Sequence, residues 1–176
     1  MVSGYIPRQV KLEFGSLTDQ KPVGSHEIVA MIDSLAEGRF SDARTTVVAL
    51  ELERTFWEKA TILHAEFHRP GERSRERFSR HYSDFAALWK HHKGPAAAAR
   101  LDLLEKVRVH KSRFFASAWA HYHTASPGTF RLVPPKRQIP MLRADYQAMR
   151  QMFLSEPRPF DDILMILDEA ERSLNV

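Results

Sequence analysis

The residues with the clearest chemical potential lie in two short segments of predicted helix. The first segment runs from Glu53 to His64, and Lys59 comes one residue before Ala60, a member of its apolar stripe. One residue corresponds to about 100° of rotation on an α-helix, so Lys59 is predicted at the edge of the buried face. A lysine there can extend its ammonium into solvent, or direct it into a cleft where it attracts phosphate. The residues alone leave both interpretations open.

The second segment, Phe78–Phe85, carries a carboxylate at Asp84. Asp84 follows Arg80 by four residues, so an ion pair on the helix surface is the simplest interpretation. Its neighbours Tyr82 and Phe85 are expected to face inward, which places Asp84 near the rim of the core. Asp84 is therefore a candidate site residue as well as a candidate surface partner.

The nine histidines of the chain raise the question of a metal site. His64 and His68 lie four residues apart on one helix face, a spacing that can bind zinc. Glu66 is close in sequence, but no third ligand is evident, and the chain has no His-Glu-x-x-His motif. The sequence therefore does not favour zinc. It also lacks the Gly-x-Ser-x-Gly motif, a phosphate-binding loop and a dinucleotide fingerprint.

Composition excludes several other classes of protein. The 176 residues allow one or at most two domains, and apolar residues at 43% are enough for a packed core. The chain contains no cysteine, which excludes disulfides, thiolate metal sites and cysteine nucleophiles. No apolar run reaches the length of about 18 residues needed to span a membrane, and the first residues lack a signal-peptide pattern. These features fit a cytoplasmic protein.

Charge is distributed unevenly along the chain. The net charge is +4, yet residues 155–176 hold six acidic residues and only two arginines. The positive excess therefore lies before residue 155, and two clusters account for much of it: Arg69, Arg73, Arg75, Arg77 and Arg80, and then Lys106, Arg108, Lys111 and Arg113. Such clusters form either solvated faces or a surface for an anionic partner.

Hydrophobic periodicity predicts the elements that must position these residues. Alternation over Gln9–Phe14 and the β-rich run Thr45–Leu50 predict strands, residues 16–26 resemble a loop, and 28–35 fit either a helix or a strand. Apolar stripes predict helices from Glu53 to a stop at Arg69–Gly71, over about 76–93, over 96–119, from Leu142 to Phe153 and from Ile163 to Leu174, with a proline-rich irregular connection over 124–140. The predicted fold class is α+β and predominantly helical.

Two sequence blocks carry a resemblance to a known family. The blocks are Phe-Trp-Glu-Lys-Ala-Thr at 56–61 and Ser-Arg-His-Tyr-x-Asp at 79–84, and His110-Lys111, Trp119-Ala120-x-Tyr122 and Asp145-Tyr146-x-x-Met149 also fit. With these blocks, the chain strongly resembles the AbiEii/AbiGii toxin family of nucleotidyltransferases over essentially its whole length. The resemblance implies short strands from a nucleotidyltransferase-type sheet in residues 1–52 and a helical C-terminal domain over 53–176.

The resemblance also implies roles for individual residues. Lys59 and Asp84 match the catalytic lysine and aspartate of the family, with Lys59 contacting the triphosphate and Asp84 orienting Lys59 or the nucleotide. Arg80 is a second candidate for nucleotide binding, and Glu13 is the candidate ligand for Mg²⁺. The implied partners are a nucleoside triphosphate, an RNA acceptor such as the tRNA end, and a cognate antitoxin that represses the operon rather than binding tightly. No membrane partner is implied.

One departure from the family pattern is large. The family holds its catalytic metal with an Asp-x-Asp pair after a Gly-Ser turn, and this sequence contains no Asp-x-Asp. Gly15-Ser16 and Gly24-Ser25 occur, but neither leads to such a pair. Because nucleotidyl transfer needs metal ions at the phosphates, we expect a C-terminal portion of the family scaffold with little or no activity by itself.

Three functional hypotheses therefore stay open. The chain is a nucleotidyltransferase toxin fragment, a non-catalytic module that binds nucleic acid or an antitoxin, or a structural remnant without a ligand. In each case the predicted strands at 10–14 and 46–50 would have unpaired edges unless they pair with each other. We therefore expect exposed apolar surface near residues 9–50, or self-association.

Overall fold

A computed structural model describes residues 9, 12, 14, 15, 19, 21–35, 38–71 and 76–176. Two strands are followed by six α-helices: β1 (Val23–Val29), β2 (Arg44–Leu50), α1 (Leu52–Phe67), α2 (Ser79–Lys90), α3 (Gly94–Ala98), α4 (Leu101–Phe114), α5 (Ile139–Ala148) and α6 (Phe160–Leu174). Short 3₁₀ turns cover Met31–Ser34, Tyr122–Thr124, Lys136–Gln138 and Met149–Met152. The protein is 55% helical, which confirms the predicted α+β, mainly helical class.

The two strands form an antiparallel hairpin in which Val23 lies opposite Leu50 and Val29 opposite Arg44. The prediction of a loop over 16–26 is wrong from Val23 onward. Val23–Val29 does not alternate cleanly, because Gly24 and Ser25 interrupt its apolar residues, and pairing with β2 holds it as a strand. The undecided stretch 28–35 contains the end of β1 and a 3₁₀ turn. The strand predicted at 45–50 is confirmed, whereas the one predicted at 9–14 falls largely outside the described residues.

The hairpin leaves much apolar surface exposed. Val48 is 71% exposed, and Ile28 and Val23 are about half exposed at 50% and 45%. This confirms the expected apolar surface in the N-terminal part of the chain. One edge of the second strand is paired, because β2 lies against β1, a strand that the sequence did not predict.

Helix α1 is the central element of the bundle and packs against α2, α3 and α4. Its apolar stripe is buried as predicted at Phe56, Ala60 and Leu63. Burial extends further round the helix than the stripe, because Arg54 and Thr61 are also fully buried. A helix enclosed on three sides in this way must satisfy its buried polar groups within the protein.

The remaining helices follow the predicted stripes but differ at their ends. The predicted helix over 76–93 is shorter, beginning at Ser79 and ending at Lys90. The one predicted over 96–119 is wrong as a single element, because the non-helical Arg100 (φ −83°, ψ 63°) separates α3 from α4, and α4 ends at Phe114. Gly94 begins α3 where a Cβ atom would lie 2.5 Å from the Trp89 carbonyl oxygen, so only glycine fits this close turn.

One continuous apolar core joins the helices. Helix α6 contributes Ile163, Leu167, Ala170 and Leu174 to this core, and these are the four residues predicted to face inward. The predicted division into a strand-containing part over residues 1–52 and a helical domain over residues 53–176 stays a prediction. Among the described residues, no helix has both the length and the apolar character to cross a membrane.

Candidate functional site

Packing of α1 against α2 brings the two chemically promising segments together. The Lys59 ammonium donates a hydrogen bond of 2.6 Å to Asp84 Oδ2, and it lies 3.0 Å from Nδ1 of His81. Lys59 lies at the edge of the buried face, as its spacing predicts, with its side chain 20% exposed. Asp84 is half exposed. The interhelical pair therefore faces a surface that a ligand can reach.

His81 is held neutral in this cluster. Burial, followed by the charges of Lys59 and Arg80, lowers the pKa of His81 to about 4. Its Nδ1 atom therefore accepts the hydrogen bond from Lys59. Sequence reasoning did not single out His81, although its position three residues before Asp84 placed it on the same helix face.

Arg80 is exposed on the first turn of α2, close enough for its charge to act on His81. Asp84 forms its ion pair with Lys59 of the neighbouring helix rather than with Arg80. The simple helix-surface pair between Arg80 and Asp84 is therefore wrong. The predicted metal ligand Glu13 lies outside the described residues.

A buried lysine lies next to this cluster. Lys111 is only 8% exposed, and its ammonium donates a hydrogen bond of 2.8 Å to the backbone carbonyl of Glu58. Burial is the main cause that lowers the pKa of Lys111 to about 7. From the sequence, Lys111 belongs to a basic cluster that was predicted to form either a solvated face or a surface for an anionic partner. In the structure, Lys111 is buried. Its spacing after Leu104 and Val107, on the inner stripe of α4, was the signal for burial.

A cleft of about 500 Å³ opens beside these cations, between α1, the end of α4 and the segment that follows α4. Its walls combine aromatic, basic and acidic side chains, including Phe78, Phe115, Trp119, Tyr122, His81, Lys111, Glu58 and Glu66. Because His81 lines the cleft and also contacts Lys59, the cleft lies next to the Lys59–Asp84 pair.

The start of α2 is held by a carboxylate from a distant helix. Asp145 of α5 accepts hydrogen bonds from the backbone amides of Arg77 (2.8 Å) and Ser79 (2.9 Å), and from the Ser79 hydroxyl (2.5 Å). The first amides of a helix have no partner within it, so this carboxylate caps α2. The cap fixes the helix that carries His81 and Asp84.

The histidine pair considered for zinc is engaged by the protein itself. His64 Nδ1 accepts the amide of Arg131 (3.1 Å), and Nε2 lies 3.2 Å from the carbonyl oxygen of His121. Burial lowers the pKa of His64 to about 4, so the ring is neutral, with both nitrogens in use. A structural role, as part of the packing between α1 and the segment after α4, therefore fits His64 better than metal binding.

The described residues do not offer magnesium a set of ligands. Within the described ranges, no three or more histidine, cysteine or acidic side chains come together as metal ligands. Near the site, Asp84 is paired with Lys59, and the carboxylate of Glu58 accepts a hydrogen bond of 2.9 Å from Arg54. These described residues do not fit a magnesium ion.

Comparison with known proteins identifies the family of the chain. The family model described as "Nucleotidyl transferase AbiEii toxin, Type IV TA system" matches residues 1–166, a range that includes both α1 and α2. No curated protein matches the chain, and no solved structure does. Since the match covers most of the 176 residues, the chain belongs to the AbiEii nucleotidyl transferase toxin family of type IV toxin–antitoxin systems.

Proposed function

We propose that this chain binds a nucleoside triphosphate through Lys59, as one part of a nucleotidyltransferase site. The observation that carries the proposal is the position of the Lys59 ammonium, held by Asp84 at 2.6 Å and by neutral His81 at 3.0 Å at the rim of the bundle. A lysine fixed by two partners, yet still partly exposed, is suited to meet a phosphate as a point charge.

The neighbouring residues have supporting roles. Exposed Arg80 supplies a second positive charge from the first turn of α2, where it can contact the same phosphates. Asp84 orients the Lys59 ammonium. This division of roles explains why one acidic and two basic side chains converge on the packing of α1 against α2.

Transfer of the nucleotide is a separate matter from binding. In relatives with an Asp-x-Asp pair, we propose that Mg²⁺ assists transfer from the triphosphate to an acceptor such as RNA, in particular the tRNA end. This sequence has no Asp-x-Asp, and its described residues do not fit the ion. We therefore propose that the chain by itself binds nucleotide but transfers little or none.

Membership of a type IV toxin–antitoxin family suggests an antitoxin partner. We propose that this antitoxin acts as a repressor of the operon and does not bind the chain tightly. Mixing the two purified proteins and measuring whether they form a stable complex tests this absence of tight binding.

A second candidate function is supported by the outer face of α4. Lys106 and Arg113 are both exposed there. Exposed lysine and arginine side chains attract the phosphates of a nucleic-acid strand. Binding of RNA that weakens steeply between two salt concentrations, in the absence of nucleotide binding, would favour this non-catalytic module.

A calorimetric titration with each of the four ribonucleoside triphosphates tests the proposed function. We expect one or more of them to bind, and Lys59→Ala to weaken that binding at least about tenfold, the effect of removing a charge-assisted hydrogen bond. Lys90→Ala is the matched control, because Lys90 forms an ion pair with Glu169 at 2.6 Å on a different part of α2. Equal affinity in both variants would contradict the proposal.

A further inference from the structure

The cleft has the dimensions of a small-molecule site. It shares one residue, His81, with the cluster of Lys59, His81 and Asp84. Its volume of about 500 Å³ lies within the usual range for ligand pockets. His81 forms part of its wall and also lies 3.0 Å from the Lys59 ammonium. The cleft and the Lys59 ammonium are therefore neighbours that share His81 as a contact.

The aromatic residues of the cleft are not equivalent. Trp119 has one ring face covered by the guanidinium of Arg69, which lies 3.9 Å from the ring centre. Phe78 is buried, with its ring 4.7 Å from that of His81. Phe115 is 48% exposed and is therefore the wall residue with the most uncovered ring surface. A planar ligand would find its stacking surface at Phe115.

Lys111 gives the cleft a polar group that is already desolvated. Its ammonium is more than nine-tenths buried and lines the cleft, and its one hydrogen bond in the described structure goes to the Glu58 carbonyl. With a pKa of about 7, Lys111 is part ammonium and part amine, and either form keeps at least one N–H donor for a ligand beyond its bond to Glu58. Carbonyl oxygens and ring nitrogens of a nucleobase are acceptors of the kind this donor needs.

We propose that the cleft binds the base of the nucleotide whose phosphates meet Lys59, with the base stacked on Phe115 and accepting a hydrogen bond from Lys111. The inference rests on the proposed function, because the phosphate end sets which ligand enters. It goes beyond that function by assigning the base to the space between α1, α4 and the segment after α4.

The test separates the base from the phosphates by comparing two probes. Calorimetry measures the affinity of the tightest-binding nucleoside triphosphate, and of inorganic tripolyphosphate, for the full chain and three variants. The variants are Phe115→Ala, Phe114→Ala and Lys59→Ala. Phe114 is the matched control, because it is adjacent, equally exposed at 47%, and does not line the cleft. Both phenylalanines are half exposed, so neither substitution is expected to prevent folding.

We expect Phe115→Ala to weaken binding of the nucleoside triphosphate about tenfold, in line with the loss of one base–aromatic stack. Tripolyphosphate, which has no base, should bind Phe115→Ala and the unaltered chain equally. Phe114→Ala should leave both affinities unchanged.

The two possible failures give different results. If Phe115→Ala binds the nucleoside triphosphate as tightly as Phe114→Ala does, the assignment of the base is overturned while phosphate binding at Lys59 stands. If tripolyphosphate binding is absent, or is unaffected by Lys59→Ala, the proposed function is overturned. A triphosphate that binds no better than tripolyphosphate also overturns the assignment of the base.

Discussion

At the scale of single residues, burial decides which ionisable groups keep their charge. Lys59 stays partly exposed beside neutral His81, whereas Lys111 is buried with its pKa lowered to about 7. The helical spacing of the sequence predicted the edge position of Lys59 correctly. The burial of Lys111 depends on how α4 packs on α1, where Lys111 contacts Glu58 about fifty positions earlier in the chain. Local periodicity does not predict a contact over such a distance.

The buried histidines predict a loss of stability in acid. The pKa of His64 is lowered from 6.5 to about 4 in the folded protein, so between these values the unfolded chain binds more protons. The contribution of His64 to stability is therefore complete above pH 6.5, falls as the pH falls towards 4, and levels off below. The shift corresponds to about 3 kcal/mol for His64, and His68 and His81 act in the same direction.

Chemical denaturation between pH 7 and pH 4 measures this dependence. His64→Gln should show a smaller difference in unfolding free energy between the two pH values than the unaltered protein does. The exposed His92 provides the control, since His92→Gln should leave the difference unchanged. A difference that is the same in His64→Gln and in the unaltered protein would contradict the burial argument.

At the scale of elements, the position of α2 determines the site, and Asp145 determines the start of α2. Its carboxylate accepts three hydrogen bonds from Arg77 and Ser79. We expect Asp145→Asn to lower the unfolding free energy by about 2 kcal/mol, because charged caps contribute more than neutral ones. Urea denaturation provides the measurement.

Asp161 supplies the control for this substitution. Its carboxylate forms an ion pair with Arg143 at 2.6 Å, and both side chains are well exposed. Such surface pairs contribute about 1 kcal/mol or less, so Asp161→Asn should have the smaller effect. Equal losses in the two variants would show that Asp145 does not hold α2.

Elements differ in how well their sequences predicted them. Helices with a strong apolar stripe, such as α1 and α6, were predicted close to their observed extent, because their burial follows a local period. β1 was missed, since its strand conformation depends on pairing with β2 rather than on its own pattern. The break between α3 and α4 at Arg100 lies in a helix-favouring stretch whose local pattern does not predict it.

At the scale of the whole molecule, a well-packed helical bundle carries a hairpin with an exposed apolar surface. Val48 is 71% exposed, and Ile28 on the paired strand is 50% exposed. Exposed strands with apolar side chains favour pairing between molecules. We therefore expect self-association as the protein concentration rises, and Val48→Lys to reduce it with a change in unfolding free energy within about 0.5 kcal/mol.

Light scattering over a concentration series, combined with binding of a hydrophobic dye, measures this behaviour. Met165→Lys is the control, because Met165 is similarly exposed at 63% but lies on α6. A monomer at all concentrations that binds no dye would count against the role of the hairpin. If both lysine substitutions reduce self-association equally, the reduction results from the added positive charge and not from the loss of apolar surface on the hairpin.

The central claim is that this chain binds a nucleoside triphosphate through Lys59 but transfers little of it. The most direct measurement incubates the protein and tRNA with a nucleoside triphosphate labelled at the α-phosphate, and then separates label retained by native protein from label joined covalently to RNA. We predict retained label that Lys59→Ala loses, with little or no label in the RNA. Retention that is absent, or equal in Lys59→Ala, would contradict the binding claim, and abundant label in RNA would contradict the claim of inactivity.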